Sequence, residues 1–124
     1  MNKPEHYSAV MPYFVVEDAA AFIEFLNDVF GSKEILIVRH DDGRIRHAEV
    51  DVRGGTIMIG QCGDEWPSYK LSTFVLVDDV DAVYAKGIDK GSTGNQEPGD
   101  QEYGRAAGFI DKWGNQWWLN DPAA

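Results

Sequence analysis

Apolar residues recur at helical spacing in two segments of the chain, residues 17–31 and 78–91. Both segments open with two acidic residues, which are favoured at a helix N-terminus, and both close on a glycine, the residue typical of a helix C-cap. Short apolar runs, residues 11–16 and 71–77, lead directly into them and predict strands. Each half of the chain therefore begins with a strand and an amphipathic helix that has to pack against a sheet.

Further strands follow each predicted helix. Glycine-containing turns separate short runs of alternating apolar and polar residues, which is typical of antiparallel strands. Three strands are predicted after the first helix and two after the second: residues 34–39, 44–53, 56–61, 105–112 and 116–120. A third strand after the second helix falls in the polar stretch 94–103, so we expect it to be short or loop-like.

An internal repeat links the two halves of the chain. Residues 14–31 match residues 74–91 without a gap, at an offset of 60, and the same offset holds in the last strand of each half. A fixed offset marks a duplicated supersecondary unit that cannot bury its apolar face alone. The predicted fold class is α+β, in which two tandem βαβββ modules, residues 10–62 and 70–121 of a single domain, form a concave mixed sheet with the helices on the outer face.

Composition and charge narrow the classes of function. With 124 residues, of which 44% are hydrophobic, the chain is long enough for one well-packed core. Its net charge of −10, from 21 acidic and 11 basic residues, argues against nucleic acid as a partner and favours a cationic ligand.

No apolar run approaches the roughly 20 residues of a membrane-spanning helix, and the N-terminus lacks the apolar stretch of a signal peptide. We therefore expect a cytoplasmic protein without a membrane partner. Cys62 is the only cysteine, which excludes an intrachain disulfide and a cysteine-rich zinc site.

The sequence resembles one protein family in the duplicated unit and in four motifs: Val16-Glu17-Asp18, Val29-Phe30-Gly31, His47-Ala48-Glu49 and residues 108–119. It looks like a member of the vicinal-oxygen-chelate superfamily, which holds glyoxalase I, bleomycin-resistance proteins and extradiol dioxygenases, and it is most similar to the small PhnB-like branch. The resemblance implies a small-molecule site in the concave sheet. It also implies a homodimer, because small members complete their cavities across a two-fold interface and each half leaves sheet edges to be covered.

In the enzymes of this family a divalent metal is held by His, Glu or Gln from the first and last strands of each half. The matching positions in this chain are Met11, Leu71 or Ser72, Met58 and Trp118. None of these side chains supplies the imidazole, carboxylate or thiolate that such a metal needs. We therefore expect the usual metal site, and with it a metal cofactor, to be absent.

Strand alternation predicts which residues line the cavity. Ala48, Val50 and Val52 form an apolar stripe suited to the helix-facing side, so His47 and Glu49 face the other way. The repeat adds aromatic and apolar side chains, and the predicted ligand-binding residues are Tyr13, His47, Glu49, Met58, Phe109 and Trp118. An aromatic cavity with a few placed polar groups is typical of a small-molecule site.

Other conspicuous residues are predicted to be structural or solvated. Four are expected on the helix-facing side, as core: Phe14, Phe74, Trp117 and Leu119. His6, in the N-terminal tail, and His40, beside a turn, are expected in solvent.

Three functions fit these observations. The favoured one is a metal-independent binding protein of the bleomycin-resistance type, whose acidic, aromatic-lined cavity binds a cationic or aromatic ligand by stacking and charge. The first alternative is a metal-dependent lyase, isomerase or dioxygenase in which His47 and Glu49 supply two ligands and Glu97 or Glu102 a third. The second is a regulatory or structural dimer with a vestigial cavity.

Overall fold

Two consecutive βαβββ modules make up the protein, seen in a computed structural model that describes residues 1–122. The elements are β1 (Tyr13–Val16), α1 (Ala19–Phe30), β2 (Lys33–Arg39), β3 (Ile45–Val52), β4 (Gly55–Gln61), β5 (Ser72–Leu76), α2 (Val80–Asp89), β6 (Thr93–Gln101), β7 (Gly104–Ile110) and β8 (Gln116–Pro122). This confirms the predicted α+β fold class. The polar stretch 94–103, expected to be short or loop-like, forms most of β6, whose pairing with β7 shifts register at two points.

The first module is a four-stranded sheet in the order β1-β4-β3-β2, with α1 on one face. β1 runs parallel to β4, and the other neighbouring strands are antiparallel. The Asp18 side chain caps the helix by accepting a hydrogen bond from the Ala21 amide, and Gly31 ends it in the left-handed conformation that glycine adopts readily. Phe22 of α1 packs against Phe14 of β1, and both rings are fully buried. The core of this module therefore lies between α1 and its sheet.

The second module repeats this plan with the strand order β5-β8-β7-β6, again with one parallel pair. Asp79 caps α2 by accepting from the Ala82 amide. Gly87 lets this helix approach the sheet closely, since a Cβ atom there would lie 2.6 Å from the ring of Phe109. The chain divides into two compact units at Tyr69 and Lys70. No helix of residues 1–122 is long and apolar enough to cross a membrane.

The two modules are not related by one constant offset. Met58 of β4 pairs with Tyr13 of β1, whereas Trp118, which follows Met58 by 60 positions, pairs with Phe74 of β5. The counterpart of Tyr13 is therefore Phe74, 61 positions later. The N-cap aspartates of the two helices show the same offset of 61.

The central strands, β3 and β7, are related by an offset smaller than 60. In the first module, Glu49 of β3 pairs with Met58 of β4. In the second module, Gly108 of β7, 59 positions after Glu49, pairs with Trp118 of β8. The cause is the longer hairpin of the second module, where five residues lie between the paired Ile110 and Gln116, against four at the corresponding place in the first module. A slip of one residue moves every side chain of a strand to the other face of the sheet.

These slips overturn two predicted placements. Phe109, expected on the cavity side, is fully buried on the helix side, where its ring centroid lies 6.4 Å from that of Tyr84 in α2. Phe74, expected in the core, is 57% exposed on the opposite face. The predicted burial of the other three core residues, Phe14, Trp117 and Leu119, is confirmed.

The two phenylalanines of the second module should therefore differ in their contribution to stability. Phe109→Ala leaves a cavity under α2 and should reduce the free energy of unfolding by about 3–5 kcal/mol. Phe74→Ala removes an exposed ring and should cost less than about 1 kcal/mol. Urea unfolding of both variants measures the difference, and equal losses would contradict the assignment of the two faces.

Candidate functional site

A buried carboxylate lies on the face of the first sheet that is not covered by α1. Glu49 of β3 is 2% exposed, yet both of its oxygens are hydrogen-bonded. Oε1 lies 2.7 Å from Nε2 of His6, and Oε2 lies 2.7 Å from the Tyr7 hydroxyl and 2.8 Å from Nε2 of His47. Three donors therefore converge on one acidic group that water scarcely reaches.

The three hydrogen bonds determine the ionisation of Glu49. Burial alone would raise the pKa of this carboxyl, but the bonds from His6, His47 and Tyr7 outweigh burial and lower the pKa from 4.5 to about 2. Glu49 is consequently ionised at neutral pH and can only accept hydrogen bonds. The hydrogen bond to Glu49 in turn raises the pKa of Tyr7. Burial and, to a smaller extent, the charge of Glu49 raise the pKa of Tyr13.

The ionised carboxylate fixes the tautomer of the neighbouring imidazole. Because Glu49 can only accept, Nε2 of His47 carries a hydrogen, and in the neutral ring Nδ1 is left as an acceptor. The Tyr13 hydroxyl lies 2.9 Å from that Nδ1 and donates to it. Gly60 makes this possible, since a Cβ atom there would lie 3.2 Å from the Tyr13 ring and 3.3 Å from its hydroxyl oxygen. We call Tyr13, His47 and Glu49 the relay.

The N-terminal segment closes the site over Glu49. The Thr56 hydroxyl of β4 donates to the backbone carbonyl of His6, which holds the segment against the sheet. His6 and Tyr7 then donate side-chain hydrogen bonds to Glu49. His6 keeps the exposure that was predicted for it, with a third of its side chain open to solvent, but its ring is also hydrogen-bonded to a carboxylate 43 positions away in the sequence.

A cavity of about 1120 Å³ opens beside the relay, within the first unit of the chain. The rings of Tyr13, Trp66 and Tyr69 are 45%, 64% and 52% exposed and line it. The Tyr69 amide donates to the Val15 carbonyl at the outer edge of β1, which brings the segment after β4 to the cavity. These residues lie between the predicted modules, 10–62 and 70–121, and were not predicted as site residues. The signal that the sequence offered was two aromatic residues within a polar stretch.

The cavity lining is not acidic, although the chain as a whole is. Two acids, Asp64 and Glu65, are matched by two arginines, Arg44 and Arg46. Glu49 is not among the lining residues and lies beneath the surface with both oxygens occupied. The expectation that its carboxylate lines an acidic cavity was therefore wrong. The other lining residues are Val15, Val38, His40, His47, Gly60, Gln61, Cys62 and Gly63.

The six predicted site residues fall into two groups. Tyr13, His47, Glu49 and Met58 share one face of the first sheet, where Met58 is buried and is the strand partner of both Tyr13 and Glu49. Trp118 lies in the second module on the face away from α2, with its Nε1 donating to the Ser72 hydroxyl at 3.0 Å. Phe109 lies on the opposite face of that second sheet. The structure thus brings four of the six predicted residues together in one module.

Comparison with known proteins gives the family. Residues 5–119 match the model of the Glyoxalase/Bleomycin resistance protein/Dioxygenase superfamily. The chain belongs to this superfamily. An uncharacterised protein of Mycobacterium bovis, Mb0911c, is 29% identical over 92% of this chain and 83% of its own length.

Solved structures of other proteins share the fold. TioX from Micromonospora sp. ML1 superposes with a TM-score of 0.78 at 24% identity, over 94% of this chain and all of its own. TnmS3, described as an antibiotic binding protein from Streptomyces sp. CB03234, gives a TM-score of 0.71 at 23% identity, over 94% of this chain and all of its own.

The residues present do not fit the metal site that the superfamily's enzymes imply. Met58 and Trp118 offer no suitable donor, and within residues 1–122 no three His, Cys, Asp or Glu side chains are grouped to hold one metal ion. His47 and Glu49, the ligands of the enzyme alternative, are hydrogen-bonded to each other through Nε2 and Oε2. Their other atoms, Nδ1 and Oε1, are hydrogen-bonded to Tyr13 and His6. Their suggested third ligands, Glu97 and Glu102, belong to the second module.

Glu49 should make the stability of the fold depend on pH in the acid range. Its pKa of about 2 in the folded chain lies below the ordinary 4.5, so its stabilisation is complete above about pH 5 and is lost as the pH falls through 2. Glu49→Gln should reduce the free energy of unfolding at pH 7 by an amount on the order of 3 kcal/mol, and this difference from the wild type should shrink on acidification. Urea unfolding between pH 7 and 3 measures it, with the exposed Glu24→Gln as the matched control. A difference independent of pH would contradict the assigned role.

Purified protein should contain no stoichiometric metal. Because the superfamily positions lack donors, elemental analysis of protein prepared without chelators should find far less than one equivalent of zinc, nickel or iron. One tightly bound equivalent would contradict this prediction and restore the enzyme alternative.

Proposed function

We propose that this protein binds a planar aromatic small molecule in the cavity of its first module, without a metal ion. The observation that carries the proposal is the cavity of about 1120 Å³, which combines exposed aromatic rings with one oriented hydrogen-bonding group, the Tyr13 hydroxyl. This volume is slightly above the roughly 300–1,000 Å³ usual for small-molecule sites, which are mainly apolar with a few polar groups that fix orientation.

The aromatic wall is available to a ligand. The rings of Tyr13, Trp66 and Tyr69 are each about half exposed or more, so the core does not use their faces. A planar ligand inserted among such rings stacks on them and displaces water from apolar surface. Trp66 and Tyr69 lie in one segment, which the backbone hydrogen bond from Tyr69 to Val15 ties to β1. This bond limits the entropy lost when a ligand orders the segment.

The net charge of the chain and the charge of the cavity lining favour different ligands. The overall charge of −10 attracts cations from a distance. Inside the cavity, however, Arg44 and Arg46 balance Asp64 and Glu65, and Glu49 offers no free oxygen to a cation. Of the two predicted ligand types, cationic or aromatic, we therefore propose the aromatic one.

The related structures agree with a binding role. TnmS3 is described as an antibiotic binding protein, and its likeness to this chain extends to the fold. Membership of the PhnB-like branch, a homodimeric state and a cytoplasmic location stay predictions, as does the contribution of Trp118 to a ligand site.

Loss of an aromatic ring from the cavity wall should weaken binding without unfolding the protein. Trp66→Ala removes a ring that is 64% exposed and should lower the affinity for a planar probe by about 2–10-fold, the effect of one stacking contact worth roughly 0.5–1.5 kcal/mol. Its unfolding midpoint should be close to that of the wild type. Calorimetric titration with para-nitroanisole, and with methylquinolinium as a cation of similar size, gives the affinities.

A matched control separates the cavity from exposed aromatic surface in general. Tyr103 is 53% exposed and does not line the cavity, so Tyr103→Ala should leave both affinities unchanged. Equal losses in the Trp66 and Tyr103 variants, or no loss in either, would contradict the proposed site.

A further inference from the structure

We propose that the relay of Tyr13, His47 and Glu49 binds a hydroxyl group of the ligand and accepts its proton, so that the ligand class is a weakly acidic hydroxyaromatic compound held as its conjugate base. This inference rests on the proposed function, because it concerns the ligand of the same cavity. It adds to that function the recognition of a ligand hydroxyl group and the transfer of its proton.

The direction of each hydrogen bond in the relay follows from the buried carboxylate. Glu49 accepts from Nε2 of His47 at 2.8 Å, so the neutral imidazole presents a bare Nδ1 to Tyr13. Tyr13 uses its single hydroxyl hydrogen in the bond of 2.9 Å to that nitrogen. Towards the cavity the hydroxyl therefore offers only lone pairs, and it selects a ligand group that donates a hydrogen bond.

Proton transfer along the relay breaks two O–H bonds and forms one O–H bond and one N–H bond. The ligand O–H gives its proton to the Tyr13 oxygen, and the Tyr13 O–H gives its own proton to Nδ1 of His47. The products are a ligand oxyanion that accepts from the Tyr13 hydroxyl and an imidazolium that donates from both nitrogens. No proton is gained from solvent or lost to it, and no other reactant is needed.

The carboxylate beneath the imidazole stabilises the positive charge that the transfer places on the ring. An imidazolium that donates to an ionised, desolvated carboxylate forms a charge-assisted hydrogen bond, which is stronger than the neutral one it replaces. His6 and Tyr7 continue to donate to Glu49 throughout, so the carboxylate stays ionised. Tyr13 itself passes a proton through but remains neutral before and after the step.

Other charged groups around the cavity bear on an anionic ligand. Arg46, for which no ion pair is found in residues 1–122, lies beside the relay, whereas Arg44 is paired with Asp42 at 2.8 Å. The remaining titratable groups in the lining are His40, Cys62, Asp64, Glu65 and Tyr69. The acids oppose an anion and the arginines favour it, so the relay, rather than the net charge of the lining, has to supply the selectivity.

The test uses para-nitrophenol, which absorbs visible light only as the phenolate, and para-nitroanisole, which has the same ring without an acidic hydroxyl. Spectrophotometric pH titration of para-nitrophenol with saturating wild-type protein should shift its ionisation midpoint to lower pH by about one unit or more, a tenfold gain in the ratio of phenolate to phenol at a given pH. Tyr13→Phe keeps the ring but removes the hydroxyl. His47→Gln keeps a donor for Glu49 but removes the proton acceptor. Both variants should abolish the shift, whereas Tyr103→Phe, outside the cavity, should retain it.

The outcomes distinguish this inference from the proposed function. A shift that disappears in the Tyr13 and His47 variants, while para-nitroanisole binds all proteins with similar affinity, supports the relay. Binding of both probes without a shift, or with a shift that His47→Gln leaves intact, overturns the relay and leaves the aromatic site standing. Failure of both probes to bind the wild type overturns both proposals. Circular dichroism of each variant checks that it is folded, and the two variants test the relay independently.

Discussion

The first module is organised around a negative charge that is kept out of water. An isolated carboxylate at 2% exposure would be costly enough to be protonated or to unfold its surroundings, and only several donors can hold it ionised. Those donors come from the N-terminal segment and from a neighbouring position on β3. The requirement to satisfy Glu49 therefore orders the first residues of the chain, sets the tautomer of His47 and, through it, the direction of the Tyr13 hydroxyl.

Much of the fold could be predicted because its determinants are local. Helical spacing, N-cap aspartates and C-terminal glycines locate α1 and α2, and alternation locates β3 and β4. The face assignments failed because the two copies are not related by a constant 60 positions. β5 and the N-cap of α2 follow their counterparts by 61 positions, and the β7–β8 hairpin is one residue longer than the β3–β4 hairpin. Side-chain direction in a strand has a period of two, so an error of one position exchanges core and surface completely, as it did for Phe74 and Phe109.

The site was predicted only in part, for a related reason. Tyr13, His47, Glu49 and Met58 lie on regular strands, where alternation within one module is enough to place them on one face. His6, Tyr7, Trp66 and Tyr69 lie outside the strands, and their positions depend on hydrogen bonds to strands far away in sequence, such as that from Tyr69 to Val15. No periodicity encodes such contacts. The predicted acidity of the cavity failed because net charge is a property of the whole surface and does not describe one concavity.

With the corrected register, matching strand positions carry polar, hydrogen-bonded side chains in the first module and packing residues in the second. With the strands of both modules aligned by their pairing, the positions of Tyr13, His47, Glu49 and Met58 correspond to Phe74, Ala106, Gly108 and Trp118. The second module thus has no titratable side chain at any of these positions, and Trp118 lies over Gly108, where a Cβ atom would be 2.8 Å from the ring. A large indole needs a small neighbour, whereas a buried carboxylate needs several donors, and one position cannot meet both demands.

Met58, which is buried and apolar between Tyr13 and Glu49, leaves the imidazole as the hydrogen-bonded link between them. An acid at position 58 would compete with Glu49 for its hydrogen-bond donors, and an imidazole there would compete with His47 for Glu49. Met58 therefore accounts both for the missing metal ligand at this position and for the undisturbed relay.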